Sequence, residues 1–496
     1  MTPSRAIAAV ALVVAGCGSY RPPRFADAPV VTELADRQPI SVPEAHDPSE
    51  IARLTESLVR RPVQSALDPR REPPAADVNA LDEVVVSSWM RAAGDLRSPV
   101  GASDGPPVPP LSLEKITGPD RMQVLDARGL GYELLLDYPR HPALRTGAAA
   151  VASRLVRAVG YLTPEVHVIE IPEALGDAVL PRRACVAHEA NVRRAAAIRG
   201  PYGVDLGPPH PSEVREDDPN DRVPHAQRRS LRALRVVAAW LYLVDVGPNL
   251  TRDVYVGPPG AGHVLHLIIG LEDALGVERA LSEARLLRDP IGLPARNLIT
   301  LGLADPYSKR PRGEWSGLGS IGTDVDPEDA NNPWPYDPVR SMSAADGYWM
   351  AKRIRALPRA ALEDAVSAAR LGDARAAEHL VYTLDVRRQK VFEHYAGRVT
   401  PLEVHSLERG RLALRDIAAG WGHPGAGVYT VELFDGDGRA LGEPRSVDEH
   451  GGIVSIDLPD LGYVAARVLA RGGAPDRRAM EVHVGGARRR VLGVRH

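Results

Sequence analysis

The stretch that decides the fold is residues 217–253, DDPNDRVPHAQRRSLRALRVVAAWLYLVDVGPNLTRD. It begins with acidic turn residues and a proline, then takes up a helical pattern whose second half, residues 236–244, is apolar on all sides. A helix that is apolar all round is buried inside a sizeable domain. The pattern ends at a Gly-Pro pair, and Asp245 and Asn249 flank this break. Because loops beside a buried scaffold often carry functional side chains, these two residues are the first site candidates.

The patterns on either side of this stretch predict strands before it and helices after it. Two apolar runs around a Gly-containing turn predict a β-hairpin at residues 122–137, followed by an Ala-rich helix at 146–159. The central helix is predicted over residues 226–244, and two strands follow at 253–256 and 263–271. Three predicted helices come last, at residues 344–357, 359–369 and 374–395. This order is typical of an α+β fold.

The C-terminal residues 400–496 have a different character. Short runs of alternating apolar residues, such as GVYTVELFD and GIVSIDL, are separated by Gly- and Asp-rich turns. Period-two alternation between turn signals predicts antiparallel strands. We therefore expect a small antiparallel β domain here, built as a sandwich.

The first residues, 1–17, have the pattern of a bacterial lipoprotein signal. Arg5 supplies the positive charge, and residues 6–15 form an apolar run too short to span a bilayer in the mature protein. The run ends in VAGC, which is similar to a lipobox and implies cleavage before Cys17 and acylation of its thiol. Gly18 in the next position favours the outer membrane. The alternative is an ordinary signal peptide in which Cys17 occurs by chance.

The segments between the signal and the main domain are rich in proline and charge. Such composition buries too little apolar area to offset the entropy of ordering, so a disordered tether is expected at residues 18–77. Residues 78–110 contain the apolar patch NALDEVVVSSWM and a Pro/Gly-rich linker, and predict an extended docking arm with Trp89 as its anchor. The main domain is expected to span residues 111–396.

Composition excludes several classes of function. The 496 residues are 44% hydrophobic, which is enough for a large core, and the net charge of −3 argues against bulk nucleic-acid binding. Cys17 and Cys185 are the two cysteines, so acylation of the first leaves no intramolecular disulfide. No zinc-ligand spacing is present. We therefore expect no metal site and no nucleic-acid partner.

Arginines recur along the first half of the central helix. Arg228, Arg232 and Arg235 are spaced so that they share one helical face. One interpretation is a surface for anions or lipid headgroups. The other, which we favour, is ion pairing with the acidic run at residues 213–221, because cationic helix faces are common.

Six stretches carry a resemblance to known proteins. They are NALDEVVVSSW at 79–89, LRTGAAAVASRLVRAVGY at 144–161, DDPNDRVPHAQRRSLRALRVVAAWL at 217–241, HLIIGLEDALG at 266–276, SMSAADGYWMAKRI at 341–354 and AAEHLVYTLDVRRQKV at 376–391. On these stretches the chain resembles a group of bacterial secreted and lipoprotein-type proteins. The lobe order is similar to atypical protein-kinase-like folds of the spore-coat kinase and HipA type. The resemblance implies a two-lobed kinase-like domain.

Phosphoryl transfer needs a cation on the phosphates, a carboxylate that orients the acceptor hydroxyl, and side chains that hold magnesium. In the resemblance, the strand Lys falls at Leu135, its helical Glu partner at Ala149 and the metal-holding Asp at Gly270. Leu and Ala cannot neutralise a triphosphate, and Gly has no side chain to bind Mg²⁺. Asp245 and Asn249 remain as vestigial catalytic candidates. The resemblance therefore implies a degenerate site.

Nearby charged residues could replace the lost groups. Glu272 and Asp273 lie just beyond Gly270 and could present a carboxylate to a metal ion. Arg140 or Arg145 could replace the missing Lys, since guanidinium binds phosphate well. An active enzyme needs both replacements at once. We favour the interpretation that Glu272 and Asp273 form a solvated turn.

Three hypotheses follow from the sequence. The first is an envelope lipoprotein, anchored in the lipid bilayer through Cys17, whose degenerate kinase-like domain binds an envelope protein partner and needs no cofactor. The second is an atypical phosphotransferase with a rebuilt site, which would use ATP and Mg²⁺ on secreted or envelope acceptors. The third is a purely structural envelope lipoprotein. Ligand-induced thermal stabilisation distinguishes them, because a ligand that binds the folded form raises its melting temperature.

Overall fold

The computed structural model of the chain describes residues 20–46, 74–137, 142–179, 192–243, 246–277, 315, 317–328, 336–419, 427–472 and 476–496. Cys17, Cys185, Arg140 and Asp245 lie outside these ranges. Within them the chain is a mixed α/β protein with several antiparallel sheets and comparatively few helices. The mixture of α and β elements that the sequence predicts is confirmed.

The first sheet is antiparallel, with its five strands in the order β1-β2-β3-β5-β4. These strands are Ser112–Gly118 (β1), Arg121–Leu125 (β2), Gly131–Leu136 (β3), Val166–Pro172 (β4) and Val192–Arg199 (β5). The hairpin predicted at residues 122–137 is confirmed as β2 and β3. Asp126 closes its turn by accepting hydrogen bonds from the backbone N–H groups of Arg128 and Leu130. Gly129 has a φ of 75°, which a residue without a Cβ adopts at no steric cost.

Helix α1, Leu144–Ala158, lies on one face of this sheet, and the short helix α2, Glu173–Asp177, follows β4. Leu135 faces α1, where it belongs to one apolar cluster with residues of the helix. Leu134 and Leu136, which alternate with it along β3, belong to a separate cluster. Successive side chains of a strand point to opposite faces, so the sheet is buried on both sides.

The central helix predicted over residues 226–244 is not continuous. A 3-10 turn at His225–Gln227 is followed by α3, Arg229–Arg232, and α4, Leu234–Leu241. Arg228 interrupts the helical path with an extended conformation, φ −86° and ψ 117°. The apolar second half is buried as predicted, and Trp240 donates a hydrogen bond from Nε1 to the carbonyl oxygen of Leu384 at 3.0 Å.

Arg228 and Arg232 are buried and Arg235 is half-buried, so the three do not form the exposed cationic face considered above. Arg228 pairs with Asp221 at 2.7 Å, as the favoured interpretation predicts. Arg232 instead approaches Asp346, and Arg235 donates to the carbonyl oxygen of Glu328. Buried guanidinium groups need acceptors, and each one turns to a different acceptor. The three side chains therefore do not share one helical face.

A three-stranded antiparallel sheet follows, in the order β6-β7-β8. Its strands are Val204–Gly207 (β6), Thr251–Val256 (β7) and His263–Ile268 (β8). The two strands predicted at 253–256 and 263–271 are present as β7 and β8. The second is shorter than predicted because Gly270 takes a left-handed φ of 68° and leads into a 3-10 turn at Leu271–Asp273.

The later helices pack against the central segment. They are Asp337–Arg340 (α5), Ala344–Ala356 (α6), Arg359–Ser367 (α7) and Ala374–Ala396 (α8). The three helices predicted between residues 344 and 395 are confirmed as α6, α7 and α8. Ser343 and Asp346 start α6 as a capping box, in which each side chain accepts the other residue's backbone N–H.

Residues 402–495 form two antiparallel sheets. Their strands are Leu402–Glu408 (β9), Arg411–Asp416 (β10), Val428–Phe434 (β11), Arg445–Asp448 (β12), Ile453–Asp457 (β13), Tyr463–Ala470 (β14), Met480–Gly485 (β15) and Arg490–Arg495 (β16). The sheet orders are β13-β10-β9 and β12-β11-β14-β15-β16. Side chains from both sheets, including Leu412 and Val482, share one apolar cluster. Two sheets joined in this way are a β-sandwich.

Residues 20–46, which composition assigns to a disordered tether, lie against the folded body as an extended segment that we call the N-terminal strap. Its backbone N–H groups donate to acceptors on several elements: Phe25 to Tyr463 Oη, Leu34 to Val86, Ile40 to Gly262 and His46 to Leu206. The tether expectation is therefore wrong for residues 20–46. The order comes from distant tertiary contacts, which local composition does not encode.

In the predicted docking arm, residues 78–110, Trp89 is 3% exposed. The indole ring stacks on His266 with centroids 3.8 Å apart and meets His225 edge-on. Trp89 thus joins the central segment to β8. In the ranges that the structure describes, no helix combines the length and the apolar character that crossing a membrane requires.

Candidate functional site

A cavity of about 410 Å³ lies between the first sheet and the three-stranded sheet, with α1 as part of its wall. Its lining combines apolar and charged side chains. The apolar residues include Ala149, Val166, Ile198, Val254, Leu267 and Ile269, and the charged ones are Arg121, Glu133, Arg199, Asp205, Arg252 and Glu272. A half-open cleft of this size with a few charged groups on an apolar wall has the general form of a small-molecule site.

The sequence-predicted positions Leu135 and Ala149 come together beside this cavity. Leu135 is 0% exposed and Ala149 is 2% exposed, and both belong to one cluster with Val166 and Ala196. Ala149 also lines the cavity. Strand β3 and helix α1 therefore meet through aliphatic side chains alone at this point, and neither residue can hold or neutralise a charge.

Gly270 lies on the opposite side of the cavity, directly after β8. A Cβ at this position would meet only one atom, Leu250 Cδ1 at 3.9 Å. A side chain would therefore fit in space, although the φ of 68° disfavours most residues. The cavity is open at Gly270, in contrast to the packed wall at Leu135.

Glu272 and Asp273 are bound to arginines and do not form the solvated turn that we favoured. Arg121 donates to both Glu133 and Glu272. Arg145 is bound to Asp120 and lies 3.5 Å from both Glu272 Oε1 and Asp273 Oδ1. Sequence reasoning identified Arg145, Glu272 and Asp273 but missed Arg121, whose position on a strand gives no local signal.

These contacts form a network that carries more negative than positive charge. The network contains two guanidinium groups and four carboxylates, those of Arg121, Arg145, Asp120, Glu133, Glu272 and Asp273. Two negative charges are therefore in excess. A carboxylate beside a guanidinium competes with any incoming anion for its donors, so the network opposes a polyphosphate.

The first turn of α1 holds Arg145 in place. Asp137, at the end of β3, accepts hydrogen bonds from the backbone N–H groups of Arg145 and Thr146 through Oδ1. Its Oδ2 accepts from the backbone N–H of Ala143 and from the Thr146 hydroxyl. The helix start is therefore fixed to the strand, and the Arg145 side chain is directed to Asp120.

The rim of the cavity is built from residues that sequence reasoning missed. The Arg199 guanidinium lies over the rings of Tyr132 and Tyr202, at 5.6 and 5.4 Å, and donates to Asp104 at 2.6 Å. Burial raises the pKa of Tyr202 above its ordinary value. The sequence signal that could have identified this rim is the GPY turn at residues 200–202.

Asn249 is not among the described residues that line the cavity. It lies in the 3-10 turn Pro248–Leu250, where its side chain is exposed, while Leu250 points inward. Asp245 lies outside the described residues. Within the described ranges, no three His, Cys, Asp or Glu side chains are grouped so that they could hold a metal ion.

Comparison with known proteins finds only distant similarity, and only to solved structures. No protein-family model and no curated protein matches the chain. Among solved structures, the chain is similar to the crystal structure of a Helicobacter pylori proinflammatory kinase, CtkA, with 12% identity and a TM-score of 0.32. That match covers 57% of this chain and 95% of the kinase. The functional proposal therefore rests on the residues of this chain and not on this neighbour.

Proposed function

We propose that this chain is a bilayer-anchored envelope protein whose two-lobed, kinase-like domain binds a ligand or partner without transferring phosphoryl groups. The observation that carries the proposal is that Leu135 and Ala149 belong to one buried aliphatic cluster. The resemblance assigns the phosphate-binding Lys and its Glu partner to these two positions. With both charges absent and the space filled by apolar side chains, this wall offers nothing to hold a triphosphate.

The charge of the remaining cavity supports the same conclusion. Both terminal amino groups of the Arg121 guanidinium are bound by glutamates, and the network around this residue has an excess of negative charge. A magnesium-nucleotide needs cations that are available to its phosphates. The cavity instead suits an uncharged or cationic molecule that places its apolar part against Val254 and Leu267.

The rebuilt phosphotransferase remains a second candidate because Arg145 does lie beside Glu272 and Asp273. In that function Arg145 would bind phosphate while one carboxylate held magnesium. The contact between Arg145 and Asp120 disfavours it, because the guanidinium would have to leave a carboxylate partner in order to reach a phosphate. The purely structural lipoprotein predicts that no small molecule binds the cavity.

Thermal unfolding tests the three functions. We expect ATP with Mg²⁺ to leave the melting temperature unchanged and to label no acceptor, whereas a screen of uncharged and cationic heterocycles, with adenosine as the first probe, raises it. Val254→Phe, which fills the cavity, should abolish that rise, and Val204→Phe on an exposed strand position should preserve it. A melting temperature raised by ATP and lost in Arg145→Met would support the phosphotransferase. No response to any compound would support the structural protein.

The anchoring part of the proposal has its own test. The full chain, expressed in a bacterial host that processes lipoproteins, should have an intact mass that fits cleavage before Cys17 plus acyl chains. Cys17→Ser should prevent both changes. Cleavage without added lipid mass would support an ordinary signal peptide and would contradict the anchor.

A further inference from the structure

The first residues of the N-terminal strap are fixed to the β-sandwich. The Tyr20 hydroxyl donates to Glu481 on β15, and its ring meets Phe434 edge-on with centroids 6.0 Å apart. The guanidinium of Arg467 lies over the same ring at 4.9 Å. The chain is therefore tied to the sandwich from Tyr20 onward.

The next residues continue along the same surface. The Phe25 ring lies 4.7 Å from the ring of His483, and a Cβ built at Gly493 would clash with it. Asp27 accepts a hydrogen bond from Arg490 at 2.9 Å. Residues 20–27, which we call the strap start, thus lie across the face of the sheet that β14, β15 and β16 form.

The distance between the proposed lipid anchor and this surface is short. Cys17 lies three positions before Tyr20. Even a fully extended chain spans only about 3.5 Å per residue, so the Cα atom of Cys17, from which the acyl chains would extend, lies within roughly 10 Å of that of Tyr20. We infer that the sandwich surface around the strap start faces the bilayer, with anionic lipid headgroups as its partner. This inference rests on the proposed acylation of Cys17.

The charges of this surface fit that partner. Three of its arginines are neutralised by carboxylates: Arg439 by Asp437, Arg467 by Glu432 and Arg490 by Asp27. Three more, Arg21, Arg24 and Arg495, are exposed and have no carboxylate within ion-pair distance among the described residues. Two further carboxylates of this surface, Asp435 and Glu481, accept from backbone N–H groups and from the Tyr20 hydroxyl and offset part of this charge. Six arginines thus face five carboxylates, and this small excess of positive charge attracts anionic headgroups over about one Debye length.

Aromatic rings hold two of these cations at the surface. The Arg24 guanidinium lies 5.0 Å from the ring centroid of Tyr463, and that of Arg495 lies 5.2 Å from the ring of Phe25. Stacking of this kind limits the rotamers of a long side chain while its N–H donors remain exposed. The two guanidinium groups are thus presented outward before any lipid is bound.

Photo-crosslinking tests the orientation. The full chain, processed in its bacterial host, is reconstituted in phosphatidylcholine vesicles with 30% phosphatidylglycerol and a photoactivatable phospholipid. We expect crosslinked peptides from residues 20–27 and 435–439 and from the turn at 486–490. Crosslinks confined to α7 and the first turns of α8 would overturn the inference while the anchor stands. If the measured intact mass shows no added acyl chains, both the proposed anchor and the inferred orientation are wrong.

A charge-matched pair of variants tests the role of the arginines. Arg21→Gln, Arg24→Gln and Arg495→Gln together should lower the crosslink yield at these peptides at least threefold in anionic vesicles and leave it unchanged in neutral ones. The control removes the same charge from exposed arginines elsewhere: Arg359→Gln, Arg370→Gln and Arg375→Gln. Circular dichroism checks that both variants are folded. An equal loss in the two triple variants, or none in either, would contradict recognition of headgroups by this surface.

Discussion

Leu135 and Ala149 share one buried aliphatic cluster beside the cavity, and this cluster can be tested by restoring the charges that phosphoryl transfer would need. Leu135→Lys places an ammonium group in an apolar cluster and should cost about 3 to 5 kcal/mol of stability. Adding Ala149→Glu supplies a partner, so the double variant should recover about 1 to 3 kcal/mol relative to additivity. Urea unfolding of all four proteins measures this coupling. Ile116→Lys, at a half-exposed strand position, is the control and should be nearly neutral. If the stability losses of the two single variants simply add in the double variant, the two side chains do not interact.

Asp82 gives a prediction about pH. Burial alone would raise the pKa of Asp82, but the charges and hydrogen bonds of Arg229 and His496 lower it from 3.8 to about 2. A carboxylate whose folded pKa is lowered stabilises the protein above its unfolded pKa, near 3.9, and this stability is lost as pH falls toward 2. The contribution at pH 7 is on the order of 2 kcal/mol.

The Asp82→Asn variant isolates that contribution. The φ of 62° at this position is one that Asn tolerates, so the backbone is preserved. We expect the variant to be less stable than wild type at pH 7 and the difference to shrink between pH 4 and 2, measured by urea unfolding at each pH. Asp448→Asn, at an exposed position, should show no such trend. A difference that is constant with pH would contradict the role of the carboxylate charge.

At the residue scale, sequence reasoning could identify candidates but not their contacts. Leu135, Ala149 and Gly270 were selected because they lack charge, and this property is visible in the sequence. That Arg121 engages Glu272 is not visible, because 151 positions separate the two residues and the contact depends on how two sheets face each other. Only the folded chain reveals that the charged candidates neutralise one another.

At the scale of elements, the start of α1 depends on Asp137. Asp137 accepts three backbone and one hydroxyl hydrogen bond, whereas the N-cap residue of α1, Ala143, has no side-chain cap. Asp137→Ala should therefore cost about 2 to 3 kcal/mol in chemical denaturation. The N-cap Asp373 of α8 accepts a single backbone bond and is the matched control, for which about 1 kcal/mol is expected on Asp373→Ala. Equal losses would contradict the special role of Asp137.

The elements that sequence patterns predicted are those whose causes are local. The β2–β3 hairpin depends on a Gly-containing turn, and α6 on a capping box, and both signals lie within a few residues. The central helix was predicted as continuous because nothing in residues 226–244 opposes helix formation. Its break lies at Arg228, which forms a buried ion pair with Asp221, and periodicity cannot encode that contact.

At the scale of the whole molecule, the N-terminal strap connects parts that are far apart in the sequence. Residues 20–27 lie on the sandwich, and Ile40 and His46 bond to the three-stranded sheet. Composition predicted a disordered tether because the strap has no apolar face of its own. Its stability comes from surfaces that other elements present, so the error came from treating the segment as isolated.

Removing the main aromatic contact of the strap should therefore loosen it without unfolding the sandwich. Phe25 packs on His483 and beneath Arg495, so Phe25→Ala should cost about 1 to 2 kcal/mol, less than a fully buried ring. Hydrogen exchange should become faster in residues 20–34 and stay unchanged in β14 and β15. Val31→Ala, at a position 54% exposed, is the control. Faster exchange throughout the sandwich would mean that the strap is part of the sandwich core. Unchanged exchange in residues 20–34 would mean that Phe25 does not hold the strap in place.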